Sequence, residues 1–455
     1  MTATNVNALF QWKCQPKAEA LLLNILEECC KANPFIADLQ RSLLIHTSTR
    51  LFDWVDHLVV GYSEQLEHEL EEVGFVSDLA TSTYRAFHHP GAQLPRIVLK
   101  DDSAGIVGTA VAVDQISDFL MVRGMAGFIE GEIFGGYRRC CVSTDRGVSL
   151  WVVERRGTLT LEPSAKKEGH LENYLTSVDL WKTRPRNIDD EDEAMAMTLK
   201  LADKIIGLVG VGMAAHIVLE VERLYWQAKN TAAQIQKNRQ DRLGMGWANH
   251  DHHTFRSSRR HFSQLVRLFE MLGFTCRERF YAGEEASWGA QVMEHSKSRM
   301  VLFLDVDLMP NEIEIDFRHH SLPDLPKLGT VGLWCGLHGD SILQAGMHHL
   351  EAQFMFDDLK EDLAKIGVGM MPAFSDFPYL KQAFTAGERW IVQPKRVQRL
   401  AEKRLITSQQ SEKFRHEGAI GSHLENLQRR EGYKGFNQKN VSFIIQKTDP
   451  RNINF

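Results

Sequence analysis

The chain has few cysteines, no long apolar run and little net charge, and each shortage removes a class of protein. Seven cysteines stand in 455 residues; four of them form the adjacent pairs Cys29–Cys30 and Cys140–Cys141, and no two are spaced C-x-x-C. Neighbouring cysteines do not readily bridge each other, so a disulfide scaffold and a cysteine-rich zinc module are excluded, and a reducing, cytoplasmic setting is expected. The longest apolar run, residues 205–215, falls far short of the ~20 residues a membrane span needs, and Asp203, Lys204 and His216 flank it. Formal net charge is −6, so no basic field draws the chain to nucleic acid or anionic lipid, and neither is expected as a partner. The first residues carry no basic flank ahead of an apolar core, which argues against a secretory signal.

What is present suits a protein with a real core: 43% of residues are hydrophobic and 25% charged. At about 150 residues per domain, the length predicts two to three domains. Residues 1–95 read as a helical N-terminal region, with Leu21, Leu22, Ile25 and Leu26 at helical spacing, a break at Asn33-Pro34 and a second helical pattern over 40–60. Residues 96–245 read as a strand-rich segment followed by a long helix. Glycine-punctuated apolar runs fill 96–158, the acidic cluster 189–193 stands where a helix N-terminus welcomes negative charge, and helical periodicity runs from Ala194 to about Arg242.

Residues 246–455 change to mixed α and β. A strand over NHDHHTFRS, a helix with Phe262, Leu265, Val266, Phe269 and Leu272 on one face, a stop at Gly273 and three more strands give the order βαβββ. A less regular second unit follows, with AGMHHLEAQFM as strand, DDLKEDLAKIGV as helix, and ERWIVQP and SFIIQK as later strands. Residues 397–417 lack glycine and proline and predict one inserted helix that stops at Gly418. The expected class is α+β: a C-terminal half of paired βαβββ modules behind a helical and β-rich N-terminal half.

Nineteen histidines are a generous supply, and several are doubled: His88–His89, His252–His253, His319–His320 and His348–His349. On a strand, neighbours point to opposite faces, so at most one of each pair can look into a given cavity. His252 and His349 each lie on the opening strand of a βαβββ unit, and paired units of this kind can hold a metal between them. A divalent iron site needs two neutral imidazoles and one carboxylate on one face, with positions left open. Glu425, in GSHLENLQRREG, is the candidate carboxylate, with Glu351 and Glu294 as rivals. Arg256 follows His252 by four residues and would share its face; with Arg259 and Arg260 behind it, it could equally open a solvated basic turn.

These residues resemble a known pattern. HHTFR, then a helix ending LFEMLGF, then a strand, is similar to the opening of a vicinal-oxygen-chelate module. More narrowly it resembles the 2-oxoadipate dioxygenase/decarboxylase (hydroxyglutarate synthase) family. His252 and Arg256 match that family's His-x-x-x-Arg opening, His349-Leu350 its second histidine, and Glu425-Asn426-Leu427-Gln428-Arg429 its E-x-x-Q-R segment. The likeness spans at most residues 247–435 and leaves the first 240 residues unmatched. It implies an Fe(II) site made by His252, His349 and Glu425, with Arg256 gripping a substrate carboxylate. The expected function is a non-haem iron(II) dioxygenase that uses O2 on a small 2-oxo acid or related carboxylate, by oxidative decarboxylation or hydroxylation. The alternatives are a metal-dependent isomerase or ring-cleaving dioxygenase on the same scaffold, and a metal-free ligand-binding or interaction protein. A homo-oligomer is left open.

Physical logic supports this chemistry independently. A 2-oxo acid chelates a metal through keto and carboxylate oxygens, and a guanidinium fork matches a second carboxylate in bidentate fashion. Other features point elsewhere. Residues 205–216 are spaced G-x-x-G-x-G rather than GxGxxG, and read as close packing through small residues, with His216 buried. Residues 222–244 form an amphipathic stretch for packing on the next domain. Cys276 and Cys335 lack an evident base, and residues 128–136 read as a glycine-rich bulge.

Overall fold

The computed structural model describes residues 12–282, 287–437 and 448–451. Two helices open the chain, α1 (Pro16–Ala32) and α2 (Pro34–Thr47), and Asn33 between them caps α2 by accepting from the Phe35 N–H. The helical pattern expected over 40–60 stops at Thr47, because Ser48 takes a left-handed conformation and the β-branched run after it forms strand β1 (Val55–Gly61). Next come α3 (Glu64–Glu72), β2 (Val76–Ala80), β3 (Tyr84–His88) and β4 (Arg96–Lys100). Then follow β5 (Ile106–Ala112), α4 (Ile116–Val122), β6 (Tyr137–Asp145) and β7 (Val148–Arg155).

These strands form one sheet of order β2-β3-β4-β1-β5-β7-β6. β1 runs parallel to β4, β5 parallel to β7, and β1 meets β5 antiparallel. This is βαβββ joined to βαββ, a pairing not foreseen for the N-terminal half. The expected boundary at residue 95 falls inside the first unit, between β3 and β4. One face packs on α1, α2 and α4 through Leu58, Val60, Ile97, Leu99, Val111, Leu150 and Val152. The other face is filled by the chain itself after β7. Arg96 donates to Leu159 O at 2.6 Å, Arg155 donates to Thr160 O at 2.6 Å, and Leu161 packs on Ala86 and Val98.

Four helices link the halves: α5 (His170–Lys182), α6 (Glu191–Val209), α7 (Val211–Gln227) and α8 (Thr231–Asp241). The single helix expected over 194–242 is therefore three. Gly210 breaks it with φ +80°, and Asn230 restarts it by accepting from the Ala233 N–H. The acidic cluster behaves as expected, since Asp190 caps α6 by accepting from the N–H groups of Asp192 and Glu193. Small residues in 205–216 do permit a close approach, but to a loop: a Cβ on Gly212 would meet Gly157 O at 2.3 Å.

The C-terminal half follows with β8 (His250–Arg256), α9 (Phe262–Met271), β9 (Phe274–Tyr281), β10 (Trp288–His295) and β11 (Val301–Asp307). After α10 (Thr330–His338) come β12 (His349–Gln353), α11 (Phe356–Lys365), β13 (Ser375–Phe377), β14 (Leu380–Phe384) and β15 (Glu388–Trp390). The chain then forms α12 (Pro394–Glu402), α13 (Ser408–Glu417) and β16 (Ala419–Arg429). The sheet order is β13-β14-β16-β12-β8-β11-β10-β9, with β15 on β16. β8 is parallel to β11, β12 is parallel to β16, and the two modules meet where β12 crosses antiparallel to β8. The fold is thus α+β with paired βαβββ modules. In the second module the helix expected over 397–417 splits into α12 and α13, with Arg404 in a left-handed turn. ERWIVQP contributes only the short β15, and the expected strand SFIIQK lies outside the described residues. Among the described residues no helix is long and apolar enough to cross a membrane.

The basic run before α9 is tied down. Arg259 donates to Glu312 and to Asp307 O, and Arg260 pairs with Asp192. His261 lies 2.9 Å from Asp192 Oδ1 and 3.3 Å from Asp340 Oδ2. Burial pushes this imidazole down, but Asp340 and Asp192 outweigh it and hold it up at about 9. Its stabilisation is therefore complete below the ordinary imidazole value near 6.5 and lost as pH rises through about 9. His261→Gln should cost about 1–2 kcal/mol at pH 6, allowing for the half-exposed Asp192, and the gap from the parent should close by pH 10. Denaturant titrations at the two pH values check this; a gap that is constant with pH would contradict it.

Candidate metal centre

β8, β12 and β16 lie side by side where the modules meet, and their registers decide which side chains gather. Glu351 stands opposite His252 across one ladder and beside Glu425 across the other, while His349 aligns with Thr254 and with His423. Since strand residues alternate faces, His252, His349, Glu351 and Glu425 project to one side, and Leu350 and Leu424 to the other, into the main apolar core. Each doubled histidine thus sends one ring to this side, His252 and His349, as the strand period requires. The donor atoms of His252, His349 and Glu425 lie within 4.8 Å of one another, all three residues being buried. His349 Nε2 is 3.1 Å from Glu425 Oε2. Asp251, His252 and Glu351 form an overlapping group, with His252 Nε2 against Glu351 Oε2.

Neighbouring residues hold this cluster in place. Asp251 Oδ1 accepts from His252 Nδ1 at 3.1 Å, which leaves the Nε2 lone pair facing the carboxylates. Arg429 in turn donates Nε and Nη2 to the two oxygens of Asp251 at 2.9 and 3.0 Å. Gln382 on β14 donates to Glu351 Oε1 at 3.0 Å and to Glu425 Oε1 at 3.1 Å. Sequence reasoning named none of Asp251, Gln382 and Arg429 for a role. Two of them had a signal in plain view: Asp251 adjoins His252, and Arg429 ends the E-x-x-Q-R segment.

The electrostatics are those of a site short of positive charge. Glu351 and Glu425 are both buried, and no lysine or arginine lies within ion-pair distance of either among the described residues. Burial lifts Glu425 to about 7, and burial with repulsion from Glu425 and Asp251 lifts Glu351 well above the carboxylate range. Burial pushes both imidazoles down, His349 to about 3, so both rings are neutral with lone pairs available. Glu351 Oε2 and His349 Nδ1 have no hydrogen-bond partner. Neutral imidazoles beside buried, uncompensated carboxylates are a donor set that fits a divalent metal ion.

A cavity of about 70 Å³ adjoins the cluster, walled by Phe280, Trp288, Phe303, Phe374, Phe384 and Phe436. The His252 ring is 4.8 Å from Phe303 and 5.1 Å from Phe436 between centroids. Arg256 is 4% exposed, so it does not open a solvated turn. Its Nε lies 3.8 Å from Asp305 Oδ2, its guanidinium 5.5 Å from the Trp334 ring, and neither Nε nor Nη1 has a hydrogen-bond partner. Burial raises the Asp305 carboxyl to about 7. Of the rival carboxylates, Glu351 is inside the cluster; Glu294 is outside it, on β10, facing Arg277 at 3.3 Å and Lys434 at 3.2 Å.

No protein-family model matches the chain, and no curated protein does. Solved structures do. A Shewanella frigidimarina protein proposed to be a hydrolase is 14% identical, with a TM-score of 0.32, over 48% of this chain and 95% of its own. A variant of 4-hydroxymandelate synthase from Streptomyces coelicolor is 10% identical, with a TM-score of 0.30, over 87% of this chain and 98% of its own. Methylmalonyl-CoA epimerase from Mycobacterium tuberculosis is 11% identical, with a TM-score of 0.23, over 40% of this chain and 89% of its own. Likenesses of this size do not bear on the chemistry of the site, which rests on its side chains.

Removing Arg429 would leave Asp251 as an unpaired buried charge. Arg429→Met should therefore destabilise the fold by about 3–5 kcal/mol, and adding Asp251→Asn should recover much of that loss. Urea denaturation of the two variants checks this; equal destabilisation of both would mean the pair is not the support described.

Proposed function

We propose that the chain is a metal-dependent enzyme of the vicinal-oxygen-chelate type. In our reading it is a non-haem iron(II) oxygenase acting on a small 2-oxo acid or related carboxylate, by oxidative decarboxylation or hydroxylation. The observation that carries this reading is the convergence of His252, His349 and Glu425, buried and within 4.8 Å, on the side of the sheet that faces an aromatic cavity. Those three residues would hold the metal, with Glu351 as a fourth carboxylate close by. Iron(II) bound there would supply Lewis acidity and one-electron reactivity toward O2.

The chain's own residues supply the rest. Arg256, whose Nε and Nη1 make no hydrogen bond and whose nearest carboxylate is Asp305 at 3.8 Å, would turn its guanidinium fork to a substrate carboxylate, a charge-assisted contact that fixes the orientation of the molecule. Asp305, raised to about 7 by burial, exchanges its proton near neutral pH and in its protonated form can donate a hydrogen bond to the same substrate. Asp251 keeps the Nδ1 proton on His252 and so the Nε2 lone pair toward the site. The ring walls exclude bulk water and receive the carbon skeleton of the substrate. The partners in this reading are a small carboxylate and O2, in a cytoplasmic setting. A metal-free binding protein is disfavoured, because without a cation Glu351 and Glu425 stay buried together only by keeping a proton on at least one of them.

Protein purified without oxygen and loaded with Fe(II) should retain about one iron per chain by elemental analysis. His349→Ala should lose that iron with its circular dichroism unchanged. Arg256→Met should keep the iron and raise the KM for the preferred 2-oxo acid by roughly tenfold to a hundredfold, measured by oxygen consumption, as loss of a charged hydrogen bond requires. Iron retained equally by His349→Ala would overturn the site. Iron bound without oxygen uptake on any 2-oxo acid would transfer the reading to isomerisation or ring cleavage.

A further inference from the structure

We propose that a second cavity, between the N-terminal sheet and the C-terminal modules, is a binding site for a small carboxylate anchored by Arg223, distinct from the metal centre. The cavity measures about 290 Å³ and is bounded by the ends of β1 and β4, by α7, and by the start of β8. It shares no lining residue with the aromatic cavity beside His252.

Arg223 projects from α7 and is 7% exposed, yet its guanidinium has no hydrogen bond or ion pair among the described residues. The other charged groups of the cavity are satisfied. Asp56 is held by Arg155 Nη2 at 2.8 Å, and Asp251 by Arg429 Nε at 2.9 Å. Asp114 accepts from the Trp247 N–H at 2.8 Å, and Glu220 accepts from the Tyr174 hydroxyl at 3.2 Å. Arg223 is thus a buried guanidinium whose hydrogen-bonding capacity is unused, facing a space of metabolite size, with Asp114 and Glu220 elsewhere in the lining held by neutral donors. Such a charge is costly to keep unpaired, and a carboxylate offers the two parallel acceptors that a guanidinium fork matches.

A second polar group borders the same space. His216 stands two turns before Arg223 on the same helix and lines the same cavity; its Nε2 makes no hydrogen bond and lies 3.6 Å from Glu220 Oε2. Leu94, Val113, Leu219 and Met300 supply apolar wall for a short carbon chain. A single free guanidinium suits a carboxylate better than a phosphate, whose extra charge would call for further cations. The inference does not rest on the oxygenase reading: it concerns other residues, and Asp251, behind His252, is where the two sites approach each other.

The test uses full-length protein with Arg256→Met, so that the arginine beside the metal centre takes no part. Acetate, pyruvate, succinate, citrate and inorganic phosphate are titrated by calorimetry. At least one carboxylate should bind with one-to-one stoichiometry, and adding Arg223→Met should weaken it at least tenfold, with Arg223→Lys in between. No binding by any carboxylate, binding by phosphate alone, or equal binding after Arg223→Met would each overturn the proposal. Should Arg223→Met fail to fold, crystals of the Arg256→Met protein soaked with the tightest binder decide. Density with a carboxylate within hydrogen-bond distance of Arg223 supports the site, and density elsewhere or none overturns it.

Discussion

Glu351 and Glu425 sit on adjacent parallel strands, buried, aligned in register, and bridged by the amide of Gln382. Two carboxylates so placed repel each other and have lost their water, and no arginine or lysine among the described residues pairs with them. Most of what surrounds them can be understood as a response to that cost. His252 and His349 approach as neutral rings, His252 with its Nε2 lone pair inward, while Arg429 pairs with Asp251 rather than with either glutamate. A positive charge belongs at this point, and the donor types favour a metal ion over a side chain.

The N-terminal half makes an instructive contrast, since its sheet follows the same strand scheme. At the junction of its two units, His57 aligns with Ala110, and Ala112 with Val153. Residues 157–161 are drawn across that face by Arg96 and Arg155. The same layout thus yields a metal-type cluster in one half and a packed face in the other. The difference lies in which residue types occupy the paired positions, since the strands at the junction follow the same order and the N-terminal second unit lacks only a strand farther out.

Much of the C-terminal half was legible in the sequence. α9 has a strong helical period, and β8, β9, β10 and β11 are runs of strand length set off by glycine and polar turns, with β8, β10 and β11 buried on both faces. His252 and His349 stood out because each lies on the opening strand of a βαβββ module. The N-terminal sheet was not legible, because β2 is exposed along most of its length and β3 is only five residues long, so neither carries a clear alternation. The long helix over 194–242 looked continuous because local propensity is high throughout, and only Gly210 and Asn230 mark its breaks. Gln382 was out of reach for another reason: it is joined to Glu351 and Glu425 only by strand pairing across distant sequence.

The account turns on whether a metal occupies the place where His252, His349 and Glu425 converge. The most direct measurement is an anomalous-difference map at the iron edge, from crystals of the full chain grown without oxygen in the presence of Fe(II). The account predicts a single strong peak within coordination distance of His252 Nε2, His349 Nε2 and a Glu425 oxygen. A map with no peak there, or with iron bound at some other group of residues, would contradict it.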